Sequence, residues 1–540
     1  MKKIAETESF ANFTREGYIY VDKTEYIYNL VSLHERVFFS RPRRFGKSLT
    51  LNTIGTIFEQ GVEPYFKGTW VYDKWDLGTF EVLRLNFLDY SVTDLIEFKR
   101  SLCQAINTFA RRVGLDVLDD PQPNNLINNL FAALMTKNQQ IVILIDEYDR
   151  PLSANINNAK LYEEFRITIQ DFYAAIKGKD PVKFLAVTGV TRLKDVSIFS
   201  VGSDIKDLTF HHAFAQMIGF TREEIKHFYT DYLRLGVSYE KDVRPEEATE
   251  EQIDDLLDRM AQHYDGYCFD EFHEDFVFST WSVNNFLSDL YSRKRLIFGS
   301  YWYDVGGLPS ILVNYLKSHD LDLLALLNDE VRTPYEDFTN PTSLPGMNQS
   351  VLMCQTGYLT LRSRLEPRPR YVKLGFANLE CAAALSSLVS YKVFARDVDI
   401  NNDDGRNILA SGECDAIMDK LNEIAAALPY DRYPIDSEAV LRGLFLFYFI
   451  GCLSDGVEAE RHNSHGRSDI LLDMDRRRLV LEFKLSPDGS DAARLLKEAV
   501  LQIERNDYGR ENLKGRELLR LAAVFDASPA KRCFTLWQMV

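Results

Sequence analysis

The chain has 540 residues, of which 46% are hydrophobic and 26% are charged, a composition typical of a soluble globular protein. A chain of this length is expected to form about three or four domains, each large enough to bury a core. The net charge of -17 argues against a protein that coats nucleic acid non-specifically, because such proteins usually carry a basic face, but it allows a local basic site.

Membrane insertion, secretion and disulfide bonding are not expected. The longest apolar run, Leu444–Gly451, is far too short to span a membrane. The opening residues alternate charged and polar side chains and do not resemble a secretory signal. The 7 cysteines show no CxxC spacing, which argues against disulfides and structural zinc. We therefore predict a cytoplasmic protein without membrane contact.

The stretch "ERVFFSRPRRFGKSLTLNTI" is the first that indicates a chemical function. A strand-like run, Val37–Phe39, precedes a basic loop, and Gly46, Lys47 and Ser48 then open a helix with an apolar face. In a phosphate loop of the form GxxxxGK[ST], backbone N–H groups cradle the phosphates, the lysine meets the β- and γ-phosphates, and the hydroxyl binds Mg²⁺. Arg41 stands where that pattern has its first glycine, so a basic turn before a buried helix is the alternative.

A second strand supplies an acidic pair. The stretch "QQIVILIDEYDRPL" contains a run buried on both faces, Ile141–Ile145, that ends in Asp146 and Glu147. At the C-terminal edge of a parallel sheet, Asp146 is suited to the Mg²⁺ shell and Glu147 to polarising the attacking water. The alternative is a strand that ends in an ordinary charged turn.

A third strand, in "VKFLAVTGVTRL", ends in Thr188, Thr191 and Arg192. Parallel strands bring their carboxyl ends to one edge of a sheet, where the nucleotide binds. A polar or basic group at this strand end is therefore suited to sensing the γ-phosphate.

Eight segments together resemble a known family. In chain order they are "YVDKT", "FSRPRRFGKSL", "VILIDEYDRPL", "TGVTRL", "IGFTREE", "YDGYCF", "CQTGYLTL" and "LGFANLE". They are similar to the bacterial AAA-ATPase-like family, whose members often end in a PD-(D/E)XK nuclease-superfamily domain. The resemblance implies that Arg41 is the expected residue of an RPRRFGKS loop. It also implies that Arg43 and Arg44 add positive charge beside the phosphates, for which a solvated basic turn is the alternative.

The resemblance extends to the γ-phosphate sensor. Arg192 after "TGVT" is similar to the sensor arginine of signal-transducing and origin-recognition ATPases, which favours switching over processive motor action. The expected nucleotide-binding residues are Arg43, Arg44, Phe45, Gly46, Lys47, Ser48, Leu49, Asp146 and Arg192.

Changes of pattern along the chain predict a mixed α/β protein of four domains. Alternating strand-like and helical segments over 1–215 indicate a P-loop AAA-like ATPase domain with a parallel sheet. Helical patterns over 216–345 indicate a helical lid, and 346–384 a small winged-helix-like or connecting unit. Residues 385–540 are the expected PD-(D/E)XK domain, with a restriction-endonuclease-like α/β fold. The sequence leaves open whether a winged helix here contacts DNA or only packs.

The tail carries a second set of charged residues. The stretch "HGRSDILLDMDRRRLVLEFKL" contains two apolar strands joined by a polar turn. Folding this hairpin about its centre places Asp469 opposite Glu482, and strand alternation puts Lys484 on the same face. Facing carboxylates repel unless a cation lies between them, and Mg²⁺ prefers such hard oxygen ligands. Lys484 would then activate water and stabilise charge on a scissile phosphate.

This arrangement resembles the D-x(n)-ExK signature of the PD-(D/E)XK superfamily. Glu438, at the head of "SEAVLRGLFLFYFIGCL", occupies the place of the first-helix acid, and a partner of the helix dipole is the alternative. Gln502 and Tyr508 resemble residues that follow the core in related nucleases, which implies nucleic-acid contacts; a solvated or packing face is the alternative. Six further residues are candidates for phosphate contacts: Arg476, Arg477, Arg505, Lys514, Arg516 and Arg520.

These patterns support two functions. The first is an ATP-driven or ATP-gated nuclease, with ATP and Mg²⁺ as cofactors and nucleic acid, DNA foremost, as partner. The second is a signal-transducing regulatory NTPase whose nuclease-like domain binds nucleic acid or a partner without cutting. A small-molecule kinase leaves the tail unexplained, and homo-oligomerisation stays open. The catalytic candidates are Glu147, Asp469, Glu482 and Lys484, and the candidate metal ligands are Ser48, Asp146, Glu438, Asp469 and Glu482.

Overall fold

The computed structural model describes most of the chain and resolves two compact units. It leaves out residues 6, 194–203, 305–309, 320–330, 342, 394–402, 429, 432–433, 454–456, 460–468, 475, 511–512 and 514. Among the described residues, the first unit runs from Met1 to Asn378 apart from two short segments, and the second consists mainly of Leu379–Val540. The predicted division at residues 215, 345 and 384 is a finer one and stays a prediction.

A five-stranded parallel sheet organises the first unit. Its strands are β1 (Arg36–Ser40), β2 (Glu81–Asn86), β3 (Ile141–Asp146), β4 (Val182–Gly189) and β5 (Lys206–Asp207), in the spatial order β2-β3-β4-β1-β5. Every residue of β3 is buried, as its unbroken apolar run predicts. Since Phe39 pairs with Thr188 and Asn86 with Asp146, the carboxyl ends of these strands form one edge. The predicted parallel sheet is confirmed.

Helices cover the sheet. They are α1 (Phe10–Glu16), α2 (Thr24–Leu33), α3 (Lys47–Gln60), α4 (Leu95–Arg112), α5 (Pro123–Thr136), α6 (Arg150–Ala154) and α7 (Ala159–Ile176). Asp94 caps α4 by accepting the N–H groups of the first turn, and Pro123 begins α5, where a missing N–H costs nothing. Helix α3 packs against β2, β3 and β4, so the residues that open it lie at the sheet edge.

Helices dominate the next part of the first unit, and its role as a lid stays a prediction. They are α8 (Arg222–Phe228), α9 (Thr230–Lys241), α10 (Glu250–Tyr264), α11 (Thr280–Arg293), α12 (Tyr301–Asp304) and α13 (Ser310–Ser318). Capping boxes open α8 at Thr221 and α10 at Thr249. A short antiparallel pair, β6 (Tyr267–Cys268) and β7 (Phe276–Val277), lies between α10 and α11.

A small mixed element follows. It contains β8 (Val331–Pro334), α14 (Tyr335–Thr339), α15 (Gln349–Thr356), β9 (Thr360–Leu361) and β10 (Tyr371–Gly375), with the strands in the order β8-β10-β9. A helix followed by an antiparallel hairpin agrees with the sequence pattern. Both alternatives, a winged-helix-like and a connecting unit, stay open.

The second unit is built on a mixed five-stranded sheet. Its elements are α16 (Leu379–Val393), α17 (Asp403–Ser411), α18 (Cys414–Ala426), α19 (Glu438–Leu453), β11 (Val457–Ala459), β12 (Ile470–Asp473), β13 (Arg477–Ser486), α20 (Ala492–Asn506), β14 (Glu517–Asp526) and β15 (Cys533–Met539). The strands follow chain order, with β13 and β14 parallel and the other neighbours antiparallel. Ile470 pairs with Leu481, so the register sets Asp469 beside Glu482, as the hairpin analysis predicts. Within the described ranges, no helix is long and apolar enough to cross a membrane.

Candidate nucleotide site and carboxylate cluster

The phosphate loop leads from β1 into α3 through a glycine in the left-handed region. Gly46 has φ +103°, a conformation that costs glycine little and other residues more, and it stands directly before α3. Lys47 is 4% exposed and donates a hydrogen bond from Nζ to the carbonyl oxygen of Pro42 at 3.2 Å. The same Nζ lies 3.5 Å from Oε1 of Glu147, at the end of β3. The loop lysine and the strand-end acid therefore meet.

The other acid predicted at this strand end, Asp146, lies against the hydroxyl of Ser48. Burial raises the pKa of Asp146 to about 6, and a hydrogen bond from Ser48 opposes that rise. The N–H of Glu147 donates to Oδ1 of Asp146 at 2.9 Å, and Glu147 itself has φ +52°. Four residues predicted from two distant stretches, Lys47, Ser48, Asp146 and Glu147, are thus brought together.

A cavity of about 690 Å³ opens beside these residues, a volume in the range of ligand sites. Its polar lining comes mainly from the loop and from the segment after β3. Part of its apolar lining comes from two motifs noted in the sequence, "YVDKT" and "IGFTREE", and part from the phosphate loop itself. The lining includes Ile19, Tyr20, Val21, Lys23, Arg43, Arg44, Phe45, Gly46, Lys47, Ser48, Leu49, Glu147, Arg150, Ile218 and Phe220.

An ion pair joins the two motifs. Nζ of Lys23 lies 2.6 Å from Oε1 of Glu224 and donates to the carbonyl oxygen of Gln216 at 2.7 Å. Glu224 also closes the capping box of α8 with Thr221. These partners lie about 200 residues apart in the chain, so no local spacing could have revealed the pair.

Arg41, in the place of the missing glycine, does not line the cavity. It is 1% exposed, and its guanidinium donates to the carbonyl oxygen of Thr209 at 2.7 Å and to those of Phe214 and Ala215 at 3.4 Å. It also lies 4.0 Å from the ring centroid of Phe269. Burial lowers the pKa of Arg41 to about 9. Arg41 therefore fastens the loop to the segment that follows β5.

The side chains of the next two basic residues, Arg43 and Arg44, differ in their contacts. The guanidinium of Arg44 lies 4.7 Å from the ring centroid of Trp281 and donates to the carbonyl oxygen of Trp302 at 2.7 Å. The side chain of Arg43 has no hydrogen bond or ion pair with any residue that the structure describes. Phe45 is buried and packs edge-on against Tyr267.

The residues that end β4 are occupied elsewhere. Arg192 forms an ion pair with Asp207 and donates to the carbonyl oxygen of Thr339 at 2.5 Å, and it does not line the cavity. Thr191 donates its hydroxyl to Oδ2 of Asp149 at 2.5 Å. Thr188 is fully buried. The structure does not bring Arg192 to Lys47, and its sensor role stays a prediction.

The aromatic motif "YDGYCF" packs in the core. Tyr264 and Tyr267 are at most 1% exposed, and Phe269 is 7% exposed. Gly266 has φ +89°, and a Cβ there would lie 2.3 Å from the carbonyl oxygen of Ala377. This glycine is therefore required where two backbone segments approach closely.

In the second unit, the predicted acids and lysine form a cluster. Glu482 is 1% exposed, and burial together with the charge of Asp469 raises its pKa to about 7. Its Oε1 lies 3.1 Å from Nζ of Lys484, whereas its Oε2 has no hydrogen-bond partner among the described residues. Asp469 accepts the N–H of Phe483 at 2.8 Å and lies 3.3 Å from Nη1 of Arg442.

Glu438 begins α19 and lies at the rim of the cluster. Its Oε1 accepts the N–H of Leu485 at 3.3 Å, and its Oε2 lies 3.8 Å from Nζ of Lys484. The side chain is 45% exposed.

The cluster fits a divalent cation through two carboxylates. Carboxylate oxygens are the hard ligands that Mg²⁺ prefers, and the buried, unpartnered Oε2 of Glu482 is an atom that such an ion would satisfy. Within the described residues, one trio, His212, Asp270 and Asp275, holds three potential ligand atoms within 4.8 Å of one another. Glu438 is thus not drawn into a compact trio with Asp469 and Glu482, and its role as ligand stays a prediction.

Two predicted nucleic-acid contacts lie on α20 and beyond it. Tyr508 is 2% exposed, and its hydroxyl accepts hydrogen bonds from Asn506 at 2.8 Å and Gln502 at 3.3 Å. Its ring belongs to a core cluster with Val480 and Ile503. This placement favours the packing alternative for Tyr508, because a buried ring cannot stack on a base.

Several of the basic residues expected to contact phosphate are already paired. Arg477 pairs with Glu517 at 2.7 Å, and Arg520 with Asp507 at 2.5 Å. Arg516 lies at the limit of an ion pair with Asp473, at 3.9 Å. Lys514 lies outside the described residues.

Comparisons with known proteins identify two matching domains in the chain. Residues 5–199 match the family model described as "Predicted AAA-ATPase", and residues 436–535 match the PD-(D/E)XK nuclease superfamily. The chain thus combines an AAA-ATPase-like domain with a C-terminal nuclease-superfamily domain, and the resemblance found in the sequence is confirmed over these ranges.

Individual relatives are more distant. An uncharacterized protein in the vnfD 5' region of Azotobacter chroococcum mcd 1 is 26% identical over 534 residues, which cover 96% of this chain and 95% of that protein. Among solved structures, Cdc6p from Pyrobaculum aerophilum is 13% identical with a TM-score of 0.23, and the Aeropyrum pernix ORC2 protein is 11% identical with a TM-score of 0.23. Each alignment covers 66% of this chain and 87% of the other.

Proposed function

We propose that the chain binds and hydrolyses ATP in the cavity of the first unit, and that nucleotide state controls a Mg²⁺-dependent nuclease activity of the second unit. The observation that carries the proposal is the convergence of Lys47, Ser48, Asp146 and Glu147 beside a cavity of about 690 Å³. These groups are the ones that phosphoryl transfer from a nucleoside triphosphate needs.

Each of the four residues has a distinct task in hydrolysis. Lys47 exchanges its contact with Glu147 for the β- and γ-phosphates, which leaves Glu147 to orient the attacking water. Ser48 and Asp146 would hold Mg²⁺, which neutralises phosphate charge when it is bound. The water oxygen bonds to the γ-phosphorus as the bond to the bridging oxygen breaks. ADP leaves with that electron pair, and the water proton is released.

The second unit supplies the groups for phosphodiester hydrolysis. Asp469 and Glu482 would hold Mg²⁺, which activates water and stabilises charge on phosphate when it is bound. Lys484, already 3.1 Å from Glu482, is placed to hold that water and to meet the scissile phosphate. We propose DNA as the first nucleic acid to test, and the cytoplasm as the location.

A second candidate is a regulatory NTPase whose tail binds without cutting. It is favoured by the charge balance of the cluster, since Lys484 compensates Glu482 and Arg442 compensates Asp469. Such a cluster is stable as an ion-pair network without a metal ion.

One assay separates the two candidates. Full-length protein is incubated with Mg²⁺, with or without ATP, and with labelled single- or double-stranded DNA or RNA. The nuclease proposal expects cleavage that depends on ATP and is lost in Lys484→Ala, while the matched surface variant Lys497→Ala cleaves like the parent. Nucleic-acid binding without cleavage in any combination, alongside ATP hydrolysis, would support the regulatory candidate instead.

A further inference from the structure

A second unpaired arginine, Arg150, lines the nucleotide cavity with Arg43. Its guanidinium makes no hydrogen bond or ion pair with any residue in the part of the chain that the structure describes, although the side chain is only partly exposed. A cation that lines a cavity without an anionic partner is available to an anionic ligand that supplies the counter-charge.

The backbone of Arg150 is held firmly. Its N–H donates to the carbonyl oxygen of Glu147 at 3.0 Å, so the turn after β3 carries both residues. The preceding residue, Asp149, accepts the N–H of Thr191 at 2.7 Å and its hydroxyl at 2.5 Å, which ties this turn to the end of β4. The backbone position of Arg150 beside Glu147 is therefore fixed before any ligand binds.

Apart from Arg43, the other basic groups considered for phosphate contacts already have partners. Lys47 lies against Glu147, Arg44 against Trp281 and the Trp302 carbonyl, and Arg192 against Asp207. Arg43 belongs to the loop that would cradle the phosphates. Arg150 instead lines the cavity together with Glu147, the acid that would orient the attacking water, and follows it by three residues.

We propose that Arg150 contacts the γ-phosphate of bound ATP and stabilises the charge that develops on it during hydrolysis. Arg150, rather than Arg192, then distinguishes ATP from ADP. This inference rests on the proposed ATPase function and adds to it the residue that reads the third phosphate.

The test compares ATP and ADP affinity in full-length protein by calorimetry with Mg²⁺, in a Glu147→Gln background so that ATP survives the titration. Arg150→Ala should weaken ATP binding about tenfold and leave ADP affinity within about twofold, since the lost contact is a charge-assisted one to the γ-phosphate alone. In the native background, turnover should fall about 10³-fold. Arg150→Lys should recover part of the ATP affinity but less of the turnover, because lysine lacks the planar fork.

Two further variants make the test decisive. Arg100→Ala, on the exposed surface of α4, should match the parent in both affinities and in turnover. An unchanged ratio of ATP to ADP affinity in Arg150→Ala, or loss of that ratio in Arg192→Ala alone, would overturn the inference while leaving the ATPase proposal standing. A folded parent that binds neither nucleotide would overturn both.

Discussion

The nucleotide cavity and the carboxylate cluster compensate their charges in opposite ways. In the cavity, Arg43 and Arg150 have no anionic partner among the described residues, so an excess of positive charge faces the open space. In the cluster, Glu482 and Asp469 each face a cation, whereas Oε2 of Glu482 has no hydrogen-bond partner among the residues that the structure describes.

This difference indicates which internal ion pairs each site must give up when its ligand binds. The cavity gains a polyanion without first losing a strong internal ion pair other than that between Lys47 and Glu147. The cluster gains a metal ion only by rearranging ion pairs that already stabilise it. We therefore expect large effects from substitutions in the cavity and smaller, condition-dependent effects from substitutions in the cluster.

The largest effect is expected for Glu147→Gln. Removing the carboxylate that orients water should lower ATP turnover by about 10²- to 10⁴-fold, whereas ATP binding should persist, because the amide leaves Lys47 free to meet the phosphates. Phosphate release and calorimetry measure the two quantities. Turnover close to that of the parent would show that another group orients the water.

The second largest effect is expected for Lys47→Ala. Loss of a buried cation that meets two phosphates should weaken ATP binding by about 10²- to 10³-fold. Calorimetry with ATP measures it, and a far-ultraviolet circular dichroism spectrum checks the fold. Equal affinity in parent and variant would place the nucleotide elsewhere.

In the cluster, Mg²⁺ should raise the melting temperature of the protein by about 2–4 °C at tenfold its dissociation constant. Asp469→Asn should reduce this shift, because the amide is a weaker ligand. The variant is measured in the full chain, so that any Mg²⁺ bound in the nucleotide cavity contributes equally to both proteins. An equal Mg²⁺-dependent rise in melting temperature in the parent and in Asp469→Asn would favour the regulatory candidate.

The smallest effect concerns pH. Because burial and Asp469 raise the pKa of Glu482 to about 7 from an ordinary value near 4.5, the folded state favours its protonated form, and its contribution to stability is lost as pH rises through this window. Glu482→Gln mimics the protonated form. The variant and the parent should therefore have the same free energy of unfolding at pH 5, and the variant should be more stable by on the order of 1 kcal/mol at pH 8. Adding Mg²⁺ should reduce this difference in stability between variant and parent at pH 8. A difference independent of pH would exclude ionisation of Glu482 as its cause.

The sequence predicts best what depends on strands and their ends. The acids at the end of β3 and the pairing of Asp469 with Glu482 follow from hydrophobic runs and from the two-residue repeat of a strand. Arg150 lies in the same stretch, three residues past Glu147, but the sequence pattern does not mark it as a site residue.

The parts that sequence could not predict depend on distant partners. Arg192 turns to Asp207 and to Thr339, and Tyr508 packs into a core formed by several elements. Neither partner set is encoded in local spacing. A residue type that suits a role in a motif can therefore be diverted by neighbours from elsewhere in the chain.

The contacts of Arg41 determine when, during synthesis, the phosphate loop can adopt its folded shape. Its carbonyl partners lie at Thr209, Phe214 and Ala215, and the aromatic ring it covers belongs to Phe269. The segment that matches the ATPase family ends at residue 199, before any of them. During synthesis the complete phosphate-loop sequence therefore leaves the ribosome long before the residues that hold it in shape, and the nascent chain should acquire nucleotide affinity only after residue 269 has emerged.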